Sequence, residues 1–287
     1  MQILRIEIYK MIHQRKLALG VAGLALFSLF LQVGFRYQGR NPLTAIARRG
    51  DFDMELVLNS INSTRLIVNS CYYLFLPILT AMIFAGQIAG ERSQGTLFGI
   101  LSRPVSRWSL FLGKFLVSTL ALLAVVLFFV GFTFLVGCVL FGAHDFLSSP
   151  RIFDLLDEYK SSILSFETGI YRLFITSLVL TFLLLPTGAI AFYCSLLFHQ
   201  THTAMATSLL IFYGSYVLQG LGNIEWLSLF SRIQPYLFTT AMESWMYVFY
   251  PAIEWGEIIP RAVLVLIYTL AIMGTGLVQF HYQDLTE

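Results

Sequence analysis

The chain has 287 residues, 57% of them hydrophobic and 12% charged, with a formal net charge of +2. Soluble domains carry about 25% charged residues, so one water-soluble core cannot hide this much apolar side chain and the bilayer is the expected solvent. The small net charge and the lack of a basic tail exclude the electrostatic footprint of a nucleic-acid-binding protein.

The first segment, MQILRIEIYKMIHQRK, places Met1, Leu4, Ile8, Met11 and Ile12 at helical spacing. Arg5, Lys10, His13 and Gln14 fall mostly elsewhere around the wheel, and Ile3 and Ile6 blur the stripe. This pattern predicts a helix lying in the headgroup plane. Six apolar runs follow, at 17–35, 67–90, 115–141, 173–198, 203–221 and 262–280, and none contains Asp, Glu, Lys or Arg. Each is near the roughly 20 residues that cross a hydrocarbon core, and their continuity excludes barrel strands, which would alternate. Pro77 and Pro186 fall inside the second and fourth runs, where membrane helices tolerate and are kinked by proline.

The first run follows Lys10, Arg15 and Lys16, and Ala45-Ile46-Ala47 has the small residues of a cleavage site. The run is longer than a signal-peptide core and is separated from that site, so a retained helix is expected. Cys71, Cys138 and Cys194 lie within spans, with no C-x-x-C spacing, and read as small packing residues. His199 and His202 lie in the short fourth-to-fifth connection with no third ligand nearby, which argues against zinc; no metal is expected on the chain.

The connecting segments differ in character. Segments 36–66 and 143–172 are polar and are expected to hold short helices. Segment 222–260 stays apolar and carries Trp226, Trp245 and Trp255, the interfacial residue type. Glu225, Arg232, Glu243 and Glu254 recur too closely for a full span, so this segment is expected to be re-entrant or interfacial, broken at Pro235 and Pro251. No internal repeat and no soluble domain is evident; residues 1–287 read as one all-α polytopic membrane domain with six spans.

Orientation follows from charge. The segments on the N-terminal side hold eight of the 18 Lys and Arg but four of the 16 Asp and Glu. Both termini and the 91–114 hairpin are therefore expected in the cytoplasm. Arg36, Arg40, Arg48 and Arg49 near the first span argue the other way.

The hairpin carries the functional signal. Gly90 ends an apolar run, and Glu91 and Arg92 force the chain to the surface, since either costs about 2.5–3.5 kcal/mol at a helix centre. After Gly95, Leu97, Ile100 and Leu101 recur at helical spacing, and Pro104 makes Arg103 a helix stop. Ser106 can cap the third span, with Arg107 and Trp108 at the interface and Lys114 snorkelling its ammonium outward. The result is a short helix across the ends of two spans, able to act either as a lever or as a topogenic loop.

The order Glu91, Gly95-Thr96, Leu97, Ile100-Leu101, Ser102-Arg103-Pro104-Val105-Ser106-Arg107 and Gly113-Lys114 resembles the signature of type-2 ABC transporter permeases, the exporter type. The arm, six spans, the dipping segment before the sixth span and the tail with Phe280 and Asp284-Leu285 fit that family along the whole chain. The resemblance implies that 91–103 is the coupling helix seated on a separate ATPase. Glu91 and Arg92 would anchor it, Gly95 and Thr96 shape its start, and Leu97, Ile100 and Leu101 fill a groove on the ATPase. Arg103, Ser106 and Arg107, around Pro104, would bond to the ATPase surface. It further implies two ATPase subunits, a second permease copy or paralogue, and residence among the lipids of a bacterial inner membrane. The chain has no G-x-x-x-x-G-K-[ST] loop, since Gly113-Lys114 lacks the upstream glycine and precedes Phe115. ATP and Mg are therefore expected on the partner, and no cofactor and no catalysis on this chain.

The transport pathway is expected at the permease–permease interface, lined by the second and fifth spans, where Tyr72, Tyr73, Phe75, Phe212, Tyr213 and Tyr216 suit an apolar, aromatic or lipid-like cargo. Two alternatives compete: a secondary transporter, disfavoured by spans without ionisable residues, and a non-transporting transducer or assembly factor. An intramembrane enzyme lacks any catalytic motif.

Overall fold

A computed structural model describes residues 7–11, 13–37, 53–95, 106–149, 162–224 and 228–282. The helices are α1 (Arg15–Tyr37), α2 (Met54–Val57), α3 (Ser60–Tyr72), α4 (Phe75–Ala85), α5 (Ala89–Ser93), α6 (Arg107–Phe141), α7 (Phe166–Leu183), α8 (Leu185–Leu197), α9 (Thr201–Gly222), α10 (Ser228–Ile233), α11 (Phe238–Ala241) and α12 (Trp255–Tyr282). Two strands, β1 (Phe146–Ser148) and β2 (Ser162–Leu164), pair antiparallel with Phe146 opposite Leu164. Residues 7–11 are helical, and Gln14 closes on Met11 before α1 starts.

Five helical segments are long and apolar enough to cross a membrane: α1, α6, α7 with α8, α9 and α12. The α3–α4 pair makes a sixth if counted as one span, bent by 56°. The bend sits at Tyr73–Leu74. Pro77 lies four residues beyond Tyr73, lacks the N–H that would bond the Tyr73 carbonyl, and would clash with it in an unbroken helix. Pro186 has a milder effect: α7 and α8 still run together as one apolar segment, Phe166–Leu197.

That fourth segment is the centre of the bundle. Its most apolar window is 72% buried, against 17% for α1. Gly188 lets α8 approach α4; a Cβ there would lie 2.9 Å from the Phe84 ring. Phe84, Phe111, Phe115, Phe192 and Phe280 form the aromatic floor at the α6 N-terminal end, with the Phe111 and Phe192 rings 4.9 Å apart. The peripheral α1 is held by a stripe with i+4 spacing, Leu24, Ser28 and Gln32. Ser28 Oγ and Thr133 Oγ1 of α6 are 2.9 Å apart, and Gln32 Nε2 donates to the Thr133 carbonyl at 2.8 Å. With no hydrophobic drive between helices in lipid, such polar pairs fix which faces meet.

Helix ends follow local chemistry. Ser106 caps α6 as expected, its Oγ accepting from Ser109 N at 3.2 Å. Asn59 caps α3, and Ser165 caps α7. The helices run past the apolar runs: α6 starts at Arg107 and α7 at Phe166, so Lys114, Glu167 and Arg172 are helical. At 35 residues, α6 is about 52 Å long, well beyond the hydrocarbon thickness.

The connecting segments add to one expectation and correct another. A helix, α2, occurs in the first, and the described part of 143–172 forms the β1–β2 pair ahead of α7, while 150–161, where a short helix is expected, lies outside the described residues. Tertiary bonds hold the pair: Ser148 Oγ donates to the Phe249 carbonyl at 2.6 Å, and Asn62 Nδ2 donates to the Leu147 carbonyl at 3.1 Å. Trp245 is the correction. It is 1% exposed, packed edge-on to Tyr72, because 228–249 folds back as α10, α11 and 310 turns (Gln234–Tyr236 and Met242–Phe249) against α9, α7 and α12. Trp255 is half-exposed, and Trp226 lies outside the described residues. Two buried arginines hold the folded-back segment. Arg172 donates to the Tyr250 carbonyl and, at 2.9 Å, to that of Pro251. The Arg65 guanidinium stacks 4.1 Å from the Phe249 ring centroid and donates to Asn62 Oδ1 and the Ser149 carbonyl.

Candidate functional site

Two places bring predicted residues together. The first is the root of the hairpin. Glu91, on the short α5, joins a cluster with Lys10, Lys114 and Glu7. Its Oε1 lies 2.9 Å from Lys114 Nζ and 2.8 Å from Lys10 Nζ. Glu7 Oε1 is 3.2 Å from Lys114 Nζ and 3.6 Å from Lys10 Nζ. Two carboxylates and two ammonium groups thus tie the N-terminal arm, α5 and α6 at one point. The Lys114 side chain is 1% exposed and those of Glu7 and Glu91 are 5% and 12% exposed. Lys114 therefore does not snorkel to water, as the sequence predicted. Two carboxylates reach it inside, one turn from Phe111 and beside Phe115, where low polarity strengthens each pairing.

Neighbouring bonds extend the node. Arg92 Nη1 donates to the Leu196 carbonyl at the end of α8, at 3.2 Å. Gln87 Nε2 donates to the Ile83 carbonyl at 3.2 Å and lies 3.2 Å from Met11 Sδ of the arm. Arg107 Nη1 donates to the His281 carbonyl at 3.1 Å, joining α6 to the last turn of α12. Gly95 ends α5 with φ +69°, its N–H bonded to the Arg92 carbonyl. Thr96, Leu97, Ile100, Leu101, Arg103 and Pro104 lie outside the described residues.

Lys10 gives the node a pH signature. Burial works against its charge, but the hydrogen bond and charge of Glu91, then Glu7, outweigh that and raise its pKa above 10.5. A raised amine pKa stabilises the docked arm fully below the unfolded value, and that contribution is lost as pH rises through the folded value. The arm should therefore loosen only above about pH 10.5. Limited proteolysis of the arm across that range should show the change in wild type and not in Lys10→Gln. Equal loosening in both would remove Lys10 from the arm's attachment.

The second place is a cavity of about 580 Å3 lined by residues of α3, the Tyr73–Leu74 bend, α9 and the Met242–Phe249 turn. Tyr73, Tyr213 and Tyr216 line it. The Tyr73 and Tyr216 rings stack at 5.2 Å, and Tyr213 OH donates to the Leu74 carbonyl at 3.0 Å. The other three aromatic candidates point elsewhere. Tyr72 and Phe212 are fully buried in helix packing, and Phe75 turns to Phe27 of α1 with centroids 4.4 Å apart. The same cavity is lined by Asn69, Gln219, Asn223 and Glu243, none of which the apolar pattern identified.

Several apolar helices of spanning length define an all-α polytopic membrane protein. The family model for ABC-2 family transporter protein matches residues 3–193, and the chain belongs to that family. It is an ABC transporter permease, integral to the membrane, of a kind that generally works with separate ATPase subunits. No curated protein sequence matches the chain.

Glu7, Lys10 and Lys114 are the node residues that span prediction missed. Glu7 had a signal: it stands four residues before Met11, on the arm's apolar face.

Proposed function

We propose that this permease is the membrane half of an ATP-driven exporter, and that the 91–107 hairpin receives the stroke of the ATPase. Two ATPase subunits, carrying ATP and Mg, would serve this chain and a second copy or paralogue, with the hairpin and termini in the cytoplasm of a bacterial cell. The supporting observation is the rooting of Glu91. A carboxylate held by Lys10 and Lys114 at 2.8 and 2.9 Å cannot shift without moving the arm and α6. With Arg92 bonded to the end of α8, a push on the hairpin reaches three helical elements together. Bonds of this kind make an element rigid rather than hinged. A merely topogenic loop needs surface charge and no buried network.

Leu97, Ile100 and Leu101 are assigned to the ATPase groove, Arg103 and Ser106 to its rim, with Thr96 and Pro104 bounding the helix. Tyr73, Tyr213 and Tyr216 stay as pathway residues.

The test is purification of the tagged chain from its native membrane in mild detergent, with mass spectrometry of what remains bound. Near-stoichiometric recovery of an ATPase with a phosphate-binding loop is expected from wild type. Leu101→Asp should insert equally well and lose the ATPase, because a buried carboxylate without a partner is strongly unfavourable at an apolar contact. Recovery of the folded wild-type chain alone, or retention of the ATPase by Leu101→Asp, would sink the coupling assignment.

A further inference from the structure

Ser215, Gln219 and Asn223 recur at i+4 along the end of α9, and each meets a polar side chain of the folded-back segment. Ser215 Oγ and Thr239 Oγ1 are 3.0 Å apart, Gln219 Nε2 donates to Glu243 Oε1 at 2.6 Å, and Gln234 Nε2 donates to Asn223 Oδ1 at 2.8 Å. This polar seam borders the cavity of about 580 Å3, which Gln219, Asn223 and Glu243 line. It lies far from the hairpin root. A Cβ on Gly90, beside Glu91, would stand 3.4 Å from Thr201 Oγ1 at the start of α9, and the seam begins about 20 Å further along the helix.

We propose that residues 234–246 form a lid, closed on α9 by this seam, which opens to release the transported molecule on the side away from the hairpin. The inference rests on the exporter reading of the chain. Three features distinguish a lid from a permanent wall. The seam is made of hydrogen bonds, each of modest net worth because opening exchanges it for a bond to water. The closed arrangement also leaves polar atoms unpaired. Gln219 Oε1, Thr240 Oγ1 and Trp245 Nε1 are buried with no hydrogen-bond partner among the described residues. Such groups raise the energy of the state that buries them, and a lifted lid lets water reach them. The third feature is a hinge. Met242–Phe249 is a 310 run of eight residues, a length that is uncommon because 310 bonds are poorly aligned. Its far end is anchored: Ser148 donates to the Phe249 carbonyl, and Arg172 to those of Tyr250 and Pro251. The stretch before the hinge is free of such anchors to α7 and β1 and is held by the seam, by the Tyr268 hydroxyl on the Tyr236 carbonyl, and by Phe238 packed on Phe212 and Tyr268.

The test uses the whole chain in lipid nanodiscs, exposed to a water-soluble maleimide, with labelling of each cysteine followed by mass spectrometry. The native Cys71 and Cys194, 0% and 3% exposed, report openings of the bundle. Thr239→Cys, at a position 0% exposed, and Ser215→Cys, across the seam from it, report the lid. Both introduced thiols should label about tenfold or more faster than the two native ones, because a lid opens at lower cost than the bundle unfolds. Adding Thr240→Val, which deletes an unpaired hydroxyl at nearly constant shape, should slow Thr239→Cys labelling several-fold. Labelling of both introduced thiols no faster than that of Cys71 and Cys194, or faster labelling with Thr240→Val, would overturn the lid. The double variant Ser215→Cys with Thr239→Cys then tests the role in transport. Its disulfide, formed by oxidant in the complex with the ATPase, should lower ATP turnover about tenfold, and reductant should restore it. Turnover unchanged by the lock would overturn the release role. No ATPase takes part in the labelling, so a lid that stays shut leaves the coupling assignment standing, and a chain that recovers no ATPase leaves the labelling result standing.

Discussion

Lys114→Met should lower the stability of the folded chain by about 3 kcal/mol, the low end of the range for removing one partner of a buried ion pair. Methionine matches the lysine stem in length and flexibility, so the buried stem is replaced by one of similar volume and the change reads the charge. What remains is unbalanced: Glu7 and Glu91 then share Lys10 alone, at 3.6 and 2.8 Å. The Lys10 side chain is 40% exposed, so water screens what it can offer. For the same reason Lys10→Met should cost about 1 kcal/mol or less. Glu7→Gln combined with Lys114→Met removes one charge of each sign and should recover part of the loss. Thermal unfolding in nanodiscs, followed by intrinsic fluorescence, gives the order wild type, Lys10→Met, double variant, Lys114→Met. If Lys10→Met proved the more damaging single variant, the buried node would not be what holds the arm.

The same residues show what was legible in the sequence. Spans are legible because hydrocarbon demands about 20 apolar residues and tolerates few exceptions. Helix ends are not, since a charge that finds its partner inside the protein need not reach water. Lys114 continues α6, Arg172 continues α7, and Arg65 sits fully buried in α3, where a hydropathy rule places a boundary. The bend at Tyr73–Leu74 follows from Pro77, a local cause, and was readable. The β1–β2 pair follows from bonds such as that of Ser148 to Phe249, a distant cause, and was not. The candidate pathway divides in the same way. Spacing on α9 cannot tell Phe212, which faces inward, from Tyr213 and Tyr216, which face the cavity. The polar lining residues Asn69, Gln219 and Glu243 meet only because residues 228–249 fold back beside α9.

Gly95→Pro should insert and fold, yet reduce ATP turnover by the purified complex to near the level of the ATPase alone. Gly95 holds φ +69° at the end of α5, and no described residue lies within 4 Å of where a Cβ would stand, so the expected effect is one of backbone conformation. Alanine in this left-handed region costs about 1–2 kcal/mol, and asparagine less, because its side chain bonds locally. Proline is fixed near φ −65° and cannot take the conformation; it also removes the N–H that Gly95 donates to Arg92. The turn must then leave α5 in another direction, while Glu91 stays clamped by two lysines. A lever whose root is fixed and whose arm is re-aimed no longer meets its partner. Turnover should therefore fall in the order glycine, asparagine, alanine, proline, with protein yield nearly constant across the series. Flat turnover across all four would mean that force enters the permease elsewhere, and yield falling in parallel with turnover would make Gly95 a folding residue instead.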